Sequence, residues 1–272
     1  MNTIAPPSPG ALEIISHPAA AAAAAHPAPL LFVHGAFVGA WCWEENFLPW
    51  FAGHGWAVHA LSLSSHGRSR KRDELNNQSI NDYVADLAET IAAFPAPPVL
   101  IGHSMGGMVV QKYLEQAAVP ATVLMASVPP QGLLGSAFGM LFSAPHLLID
   151  LNRMMGGGEP GIDSVREALF HQPISTEKLQ RYWSMSQPES ARALWDMTLF
   201  NLPRPGRAHK APMLVLGAGH DRLITPAQVF MTADAWGCAP EIFDDMGHAM
   251  MLERDWEKVA TRIADWLTAQ AL

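Results

Sequence analysis

Basic residues are scarce in this chain, and they begin late. Lys and Arg together number 17 against 25 Asp and Glu, the formal net charge is −8, and the first cation is Arg68. A surface of that sign has no field to hold nucleic acid or an anionic membrane. Leaders for secretion or organelle import carry basic residues near their start, so none is expected here. Cysteine is nearly missing. Cys42 and Cys238 are the only two, too few for a disulfide framework and not spaced as metal ligands. Long apolar runs are absent as well: Pro98 to Ile101 breaks into Gly102 and His103, far short of the roughly 18 residues of a membrane span. Charged residues make up 15% and apolar ones 49%, which excludes disorder over most of the length. A soluble, acidic, cytoplasmic protein is expected, and 272 residues suffice for one large core.

Residues 1–29 are rich in Ala, Pro and His, with seven consecutive alanines from Ala19 to Ala25. They read as a low-complexity segment holding one short strand candidate, Leu12 to Ile15. After Pro29 a rhythm sets in. Short apolar runs at Leu30–Val33, Trp56–Leu63, Val99–Ile101 and Thr122–Val128 have the composition of buried parallel strands. Helical spacing lies between them: Trp41–Gly53, Ile80–Phe94 with Ser79 or Asn81 as its cap, and Met105 to about Gln116. The rhythm stops after Val128 and resumes at Met213–Leu216, followed by a helix at Pro226–Trp236, a strand at Glu241–Phe243 and an amphipathic C-terminal helix. Strands alternating with helices predict an α/β fold, a mostly parallel sheet with helices on both faces. Its core should comprise residues 30–128 and 207–272. Residues 129–206 form a helical insertion, and insertions of that size are commonly lids over a site.

Gly102-His103-Ser104-Met105-Gly106 fits G-x-S-x-G and falls between a buried strand and a helix. A serine on that tight turn is strained and exposes its hydroxyl, while the flanking glycines permit close packing. Such a nucleophile needs a base, and the base needs an orienting acid. His248 and Asp221 both follow strands, which places them with Ser104 at the carboxyl edge of the sheet. Asp244 and Asp245 compete as the acid, and His220 and His103 compete as the base. Donors for a developing oxyanion are expected from the backbone N–H of Met105 and of Ala36, in the loop after His34-Gly35. No histidine pair has metal spacing, and His34 to Gly39 lacks the glycine pattern of a dinucleotide site, so neither metal nor cofactor is expected.

Four motifs in this order, LLFVHGAFVGAWCW from Leu30 to Trp43, GHSMGG at 102–107, the Asp221 loop and GHAMM at 247–251, resemble the α/β-hydrolase superfamily. The first of them is similar to the branch of plant methylesterases and hydroxynitrile lyases and to bacterial esterase-like relatives. The resemblance implies an α/β-hydrolase fold with a helical cap over residues 30–270. It also implies departures: Ser104 stands where halide and epoxide hydrolases use aspartate, and Ala249 where the hydroxynitrile lyases carry lysine. The insertion is rich in Met, Phe and Leu, and Met140, Phe142 and Met154, with Phe37 and Met250, are candidate walls of an apolar pocket. No Lys or Arg is evidently placed to clamp a carboxylate or phosphate, Arg68 on the loop after the second strand being the one candidate. The expected activity is hydrolysis of a carboxylic ester with an apolar acyl or alcohol part, the partner being a small-molecule ester. Thioesterase, C–C hydrolase, cofactor-free perhydrolase and non-catalytic ligand receptor remain as alternatives.

Overall fold

A computed structural model describes residues 10–21, 25–135 and 161–272, with His146, Ile149, Arg153 and Gly158 between them. Seven strands form one sheet: β1 Glu13–His17, β2 Leu30–Val33, β3 Val58–Ser62, β4 Val99–His103, β5 Thr122–Met125, β6 Met213–Ala218 and β7 Pro240–Phe243. Their order is β1-β3-β2-β4-β5-β6-β7. All neighbours run parallel except β1, which pairs antiparallel with β3, Glu13 opposite Ser62.

The strands alternate which face they feed, as a period of two requires. Leu30, Phe32, Val99, Ile101, Val123, Met125, Leu214 and Leu216 enter one buried cluster. Leu31, Val33, Leu100, Leu124 and Val215 enter the other. Helices α1 Trp41–Glu44, α2 Phe47–Gly53 and, at the C-terminus, α9 Trp256–Ala269 cover the first face. Helices α3 Ile80–Ala92, α4 Met105–Tyr113 and α8 Pro226–Trp236 cover the second. With both faces covered, every residue of β2, β4 and β5 is buried, which is why these strands read as unbroken apolar runs.

Local chemistry sets the helix starts. Ser79 caps α3 by accepting from the Asp82 N–H, while Asp82 Oδ2 accepts from the Ser79 N–H at 2.8 Å, a reciprocal box. The helix expected over Trp41–Gly53 is two helices instead. Asn46 leaves helical geometry at φ −139°, and Pro49 sits in the first turn of α2. Within one continuous helix Pro49 would lack its hydrogen bond and collide with the preceding turn.

Between β5 and β6 the described residues form helices and no strand: α5 Ile162–Leu169, α6 Thr176–Met185, and α7 Ala191–Trp195, which runs into a π turn at Asp196–Phe200. No helix among the described residues is long and apolar enough to cross a membrane.

Candidate active site

The carboxyl ends of β2, β4, β6 and β7 supply the candidate residues. Ser104 follows β4 and adopts φ 52°, ψ −118°, a left-handed conformation costly for a residue with a Cβ. Its neighbours show why the turn is held. A Cβ on Gly102 would sit 2.6 Å from the Gly106 carbonyl, and one on Gly106 would sit 2.3 Å from that of Val33. The glycines therefore let α4 start directly against β2 and β4. The Ser104 carbonyl accepts from Gly107, Met108 and Val128, so the turn is fastened both to the helix and to the segment just after β5.

Asp221 lies on the loop after β6. Its Oδ1 accepts from the N–H groups of Leu223 and Ile224, both at 2.8 Å, and its Oδ2 is 2.7 Å from His248 Nδ1. Both side chains are buried, Asp221 completely. Of the three acids considered from sequence, only Asp221 meets the imidazole; Asp244 and Asp245 are exposed. The His248 loop is pinned by Glu253, whose Oε1 accepts from Gly247 and His171 at 2.7 Å. Burial raises the Glu253 pKa despite these bonds. Ala249 N–H donates to Leu169 at the end of α5.

Ser104 and His248 stand on neighbouring loops. Among the described residues no hydrogen bond joins their side chains. The link is one residue away, where His103 Nε2 donates to the His248 carbonyl at 2.9 Å. Serine–base hydrogen bonds often tighten only with substrate present. The competing histidines have other places: His103 is buried beneath the turn, and His220 is exposed and stacked on His171 at 3.5 Å.

Ala36 lies in the loop after β2. A Cβ on Gly35 would come within 3.0 Å of the Ser104 Cβ, so this loop passes directly beside the serine. Among the described residues, neither the Ala36 nor the Met105 N–H donates to a protein acceptor. The remaining sequence candidates scatter. Phe37 is half-buried at φ 67°. Met250 is fully enclosed, packed in the cluster on the first sheet face. Met140, Phe142 and Met154 lie outside the described residues. Arg68 is already engaged, its Nε paired with Glu13 of β1. No group of three or more metal-ligating side chains occurs among the described residues.

Sequence reasoning missed a buried polar cluster behind the Ala36 loop: His34, His66, Tyr83 and Glu189. His34 donates from Nδ1 to the Gly35 carbonyl at 2.7 Å and accepts the Leu63 N–H at Nε2, which fixes a neutral tautomer. Burial, and next the charge of His66, push its pKa down to about 3. Burial, then neighbouring His248, hold His103 well below its ordinary range. Both groups bind a proton more readily in the unfolded chain, so stability should rise with pH up to their unfolded value near 6.5. His66 is raised instead; below that value it is protonated folded or unfolded and adds no slope. Going from pH 7 to pH 5 should therefore cost about 2 kcal/mol at His34, whose folded value is about 3, with His103 adding a loss of the same sign. Urea denaturation at the two pH values measures it. His34→Asn should shrink the difference, and equal midpoints in the native chain would refute the assignment.

The alpha/beta hydrolase family model matches residues 30–262. Among curated proteins, the chain is 36% identical to norfluorocurarine synthase 1 of Strychnos nux-vomica over 38% of its own length and 40% of the relative's. It is 42% identical to methyl jasmonate esterase 1 of Vitis vinifera over 32% of its length and 33% of that protein's. The chain thus spans well under half of these relatives. Among solved structures, the esterase EaEST of Exiguobacterium antarcticum superposes with a TM-score of 0.74 at 14% identity, covering 94% of this chain and 95% of that one. Polyneuridine aldehyde esterase superposes at 0.67 with 22% identity, covering 87% and 99%. At such identities the structural likeness speaks for the fold.

Proposed function

The chain belongs to the alpha/beta hydrolase family, and on that premise we propose that it is a serine hydrolase cleaving a carboxylic ester with an apolar acyl or alcohol part. The observation that carries the reading is the buried contact of 2.7 Å between His248 Nδ1 and Asp221 Oδ2 beside a strained serine. With Nδ1–H committed to the carboxylate, Nε2 keeps its lone pair and can take the Ser104 proton. The Ser104 oxygen attacks the ester carbonyl, and the N–H groups of Ala36 and Met105 receive the developing oxyanion. His248 returns the proton to the leaving alcohol. Water then repeats the sequence on the acyl-enzyme, with His248 again the base. Residues 129–206 act as the cap and supply the apolar wall, and no cofactor enters. The similarity to esterases of this family supports an ester over a thioester or a C–C bond.

The test pairs two measurements on the pure protein. Steady turnover of p-nitrophenyl butyrate, together with covalent labelling by a fluorophosphonate probe, is expected. Binding without sustained release would identify a ligand receptor, and preference for a thioester over its matched oxygen ester would identify a thioesterase.

A further inference from the structure

The donor proposed at Ala36 is one peptide N–H in a loop, and a loop holds such a group still only if its neighbours are tied. Here its own peptide and the two that follow are tied. Gly35 C=O belongs to the same planar unit as Ala36 N–H, and it accepts from His34 Nδ1 at 2.7 Å. On the other side the segment between α6 and α7 grips Phe37 twice. Gln187 N–H donates to the Phe37 carbonyl at 2.9 Å, and Phe37 N–H points to Glu189 Oε2 at 3.4 Å. The grip matters because Phe37 holds a left-handed φ of 67°, which side chains with a Cβ resist.

The grip itself is anchored in the core. Glu189 Oε1 accepts from the Tyr83 hydroxyl and the Ser190 N–H, each at 2.7 Å, and Oε2 faces His66 Nε2 at 2.9 Å. His66 Nδ1 meets the Ser64 carbonyl at 3.0 Å, so both ring nitrogens face acceptors, as in an imidazolium. The His66 and Glu189 side chains are fully buried. Burial alone would raise the Glu189 pKa, yet the charge of His66 and the bonds from His66, Tyr83 and Ser190 bring it below the ordinary value. Gln187 adds a second anchor, accepting from Gly67 N–H at 2.9 Å and donating to the Ser65 carbonyl at 2.7 Å. A buried charged pair that only aided folding would not need to reach into the loop beside the serine.

We propose that Glu189, carried by the segment that interrupts the sheet, is a positioning residue that fixes the oxyanion donor of Ala36 through Phe37, with His34 holding the same donor from the Gly35 side. The assignment rests on the esterase reading above. It gives the inserted segment a role in transition-state stabilisation apart from walling the pocket.

Glu189→Gln keeps the shape while weakening the hold. Its kcat on p-nitrophenyl butyrate should fall roughly 10- to 100-fold, as a displaced donor would cost, with KM changed less than about threefold. The affinity for an aryl trifluoromethyl ketone, which Ser104 converts to a tetrahedral oxyanion, should fall by the same factor as kcat/KM. Removing one member of a buried pair strands the other, so Gln187→Ala, which leaves that pair intact, serves as the second variant. It should show the same pattern with a smaller loss. If both variants lower activity only in proportion to lost folded protein, with ketone affinity per folded molecule unchanged, the positioning role is overturned. A native protein that neither turns over the ester nor takes the fluorophosphonate overturns the esterase reading, and this assignment with it.

Discussion

Ser104→Ala is expected to lower ester turnover by about five powers of ten or more while the protein stays folded. The size follows from how a triad works: the imidazole and its carboxylate have no task without the oxygen they activate, so losing the serine costs about as much as losing all three. Binding and the two backbone donors would leave a small residual rate over water. Stability should change little, because alanine keeps the Cβ and so the same strain at φ 52°, and the Ser104 side chain makes no hydrogen bond to His248 among the described residues. Labelling by the fluorophosphonate should vanish in parallel. Persistent labelling of the alanine variant would move the nucleophile elsewhere.

Asp221→Asn should cost on the order of 10⁴ in kcat, about 5 kcal/mol of barrier. The amide would present an N–H group to His248 Nδ1 or accept from it only after rotating. Rotation is opposed, since the other Asp221 oxygen already accepts from two backbone N–H groups at 2.8 Å. The imidazole is then favoured in the tautomer with its proton on Nε2, facing the serine it should deprotonate. Asp245→Asn is the matched control. Its carboxylate is exposed, so its kcat should stay within about threefold of the native value. A larger loss at Asp245 than at Asp221 would reassign the acid.

Much of this architecture could be read from the chain because the constraints were local. A strand covered on both faces must be apolar at every position, so Leu30–Val33 and Val99–Ile101 stood out. A serine turn wedged between strand and helix must have glycine where a Cβ would strike a carbonyl, so 102–107 stood out too. Alternation of strand and helix then led to the fold, and following each strand to its end led to Ser104, Asp221 and His248. Proline chemistry is equally local: Pro49 is what divides the apolar-spaced stretch Trp41–Gly53 into two helices.

Other features depended on which distant segments meet. Asp221, Asp244 and Asp245 all lie near the same sheet edge, and their sequence spacing does not say which carboxylate turns toward the imidazole. The N–H groups of Leu223 and Ile224 orient that of Asp221. Arg68 is a candidate anion clamp in the sequence, and only the antiparallel β1 brings Glu13 against it. His34, His66, Tyr83 and Glu189 have no shared spacing, and all four are residue types usually exposed or only partly buried. Their identity as one cluster depends on folding, because a charge tolerates complete burial only where partners from separate segments converge to satisfy it. Periodicity and turn chemistry in the sequence thus determined the layers and the sheet edge that gathers the candidate residues. The tertiary structure alone decided which polar groups at that edge face one another, since burial in a common low-dielectric space, rather than nearness along the chain, sets their partners and protonation.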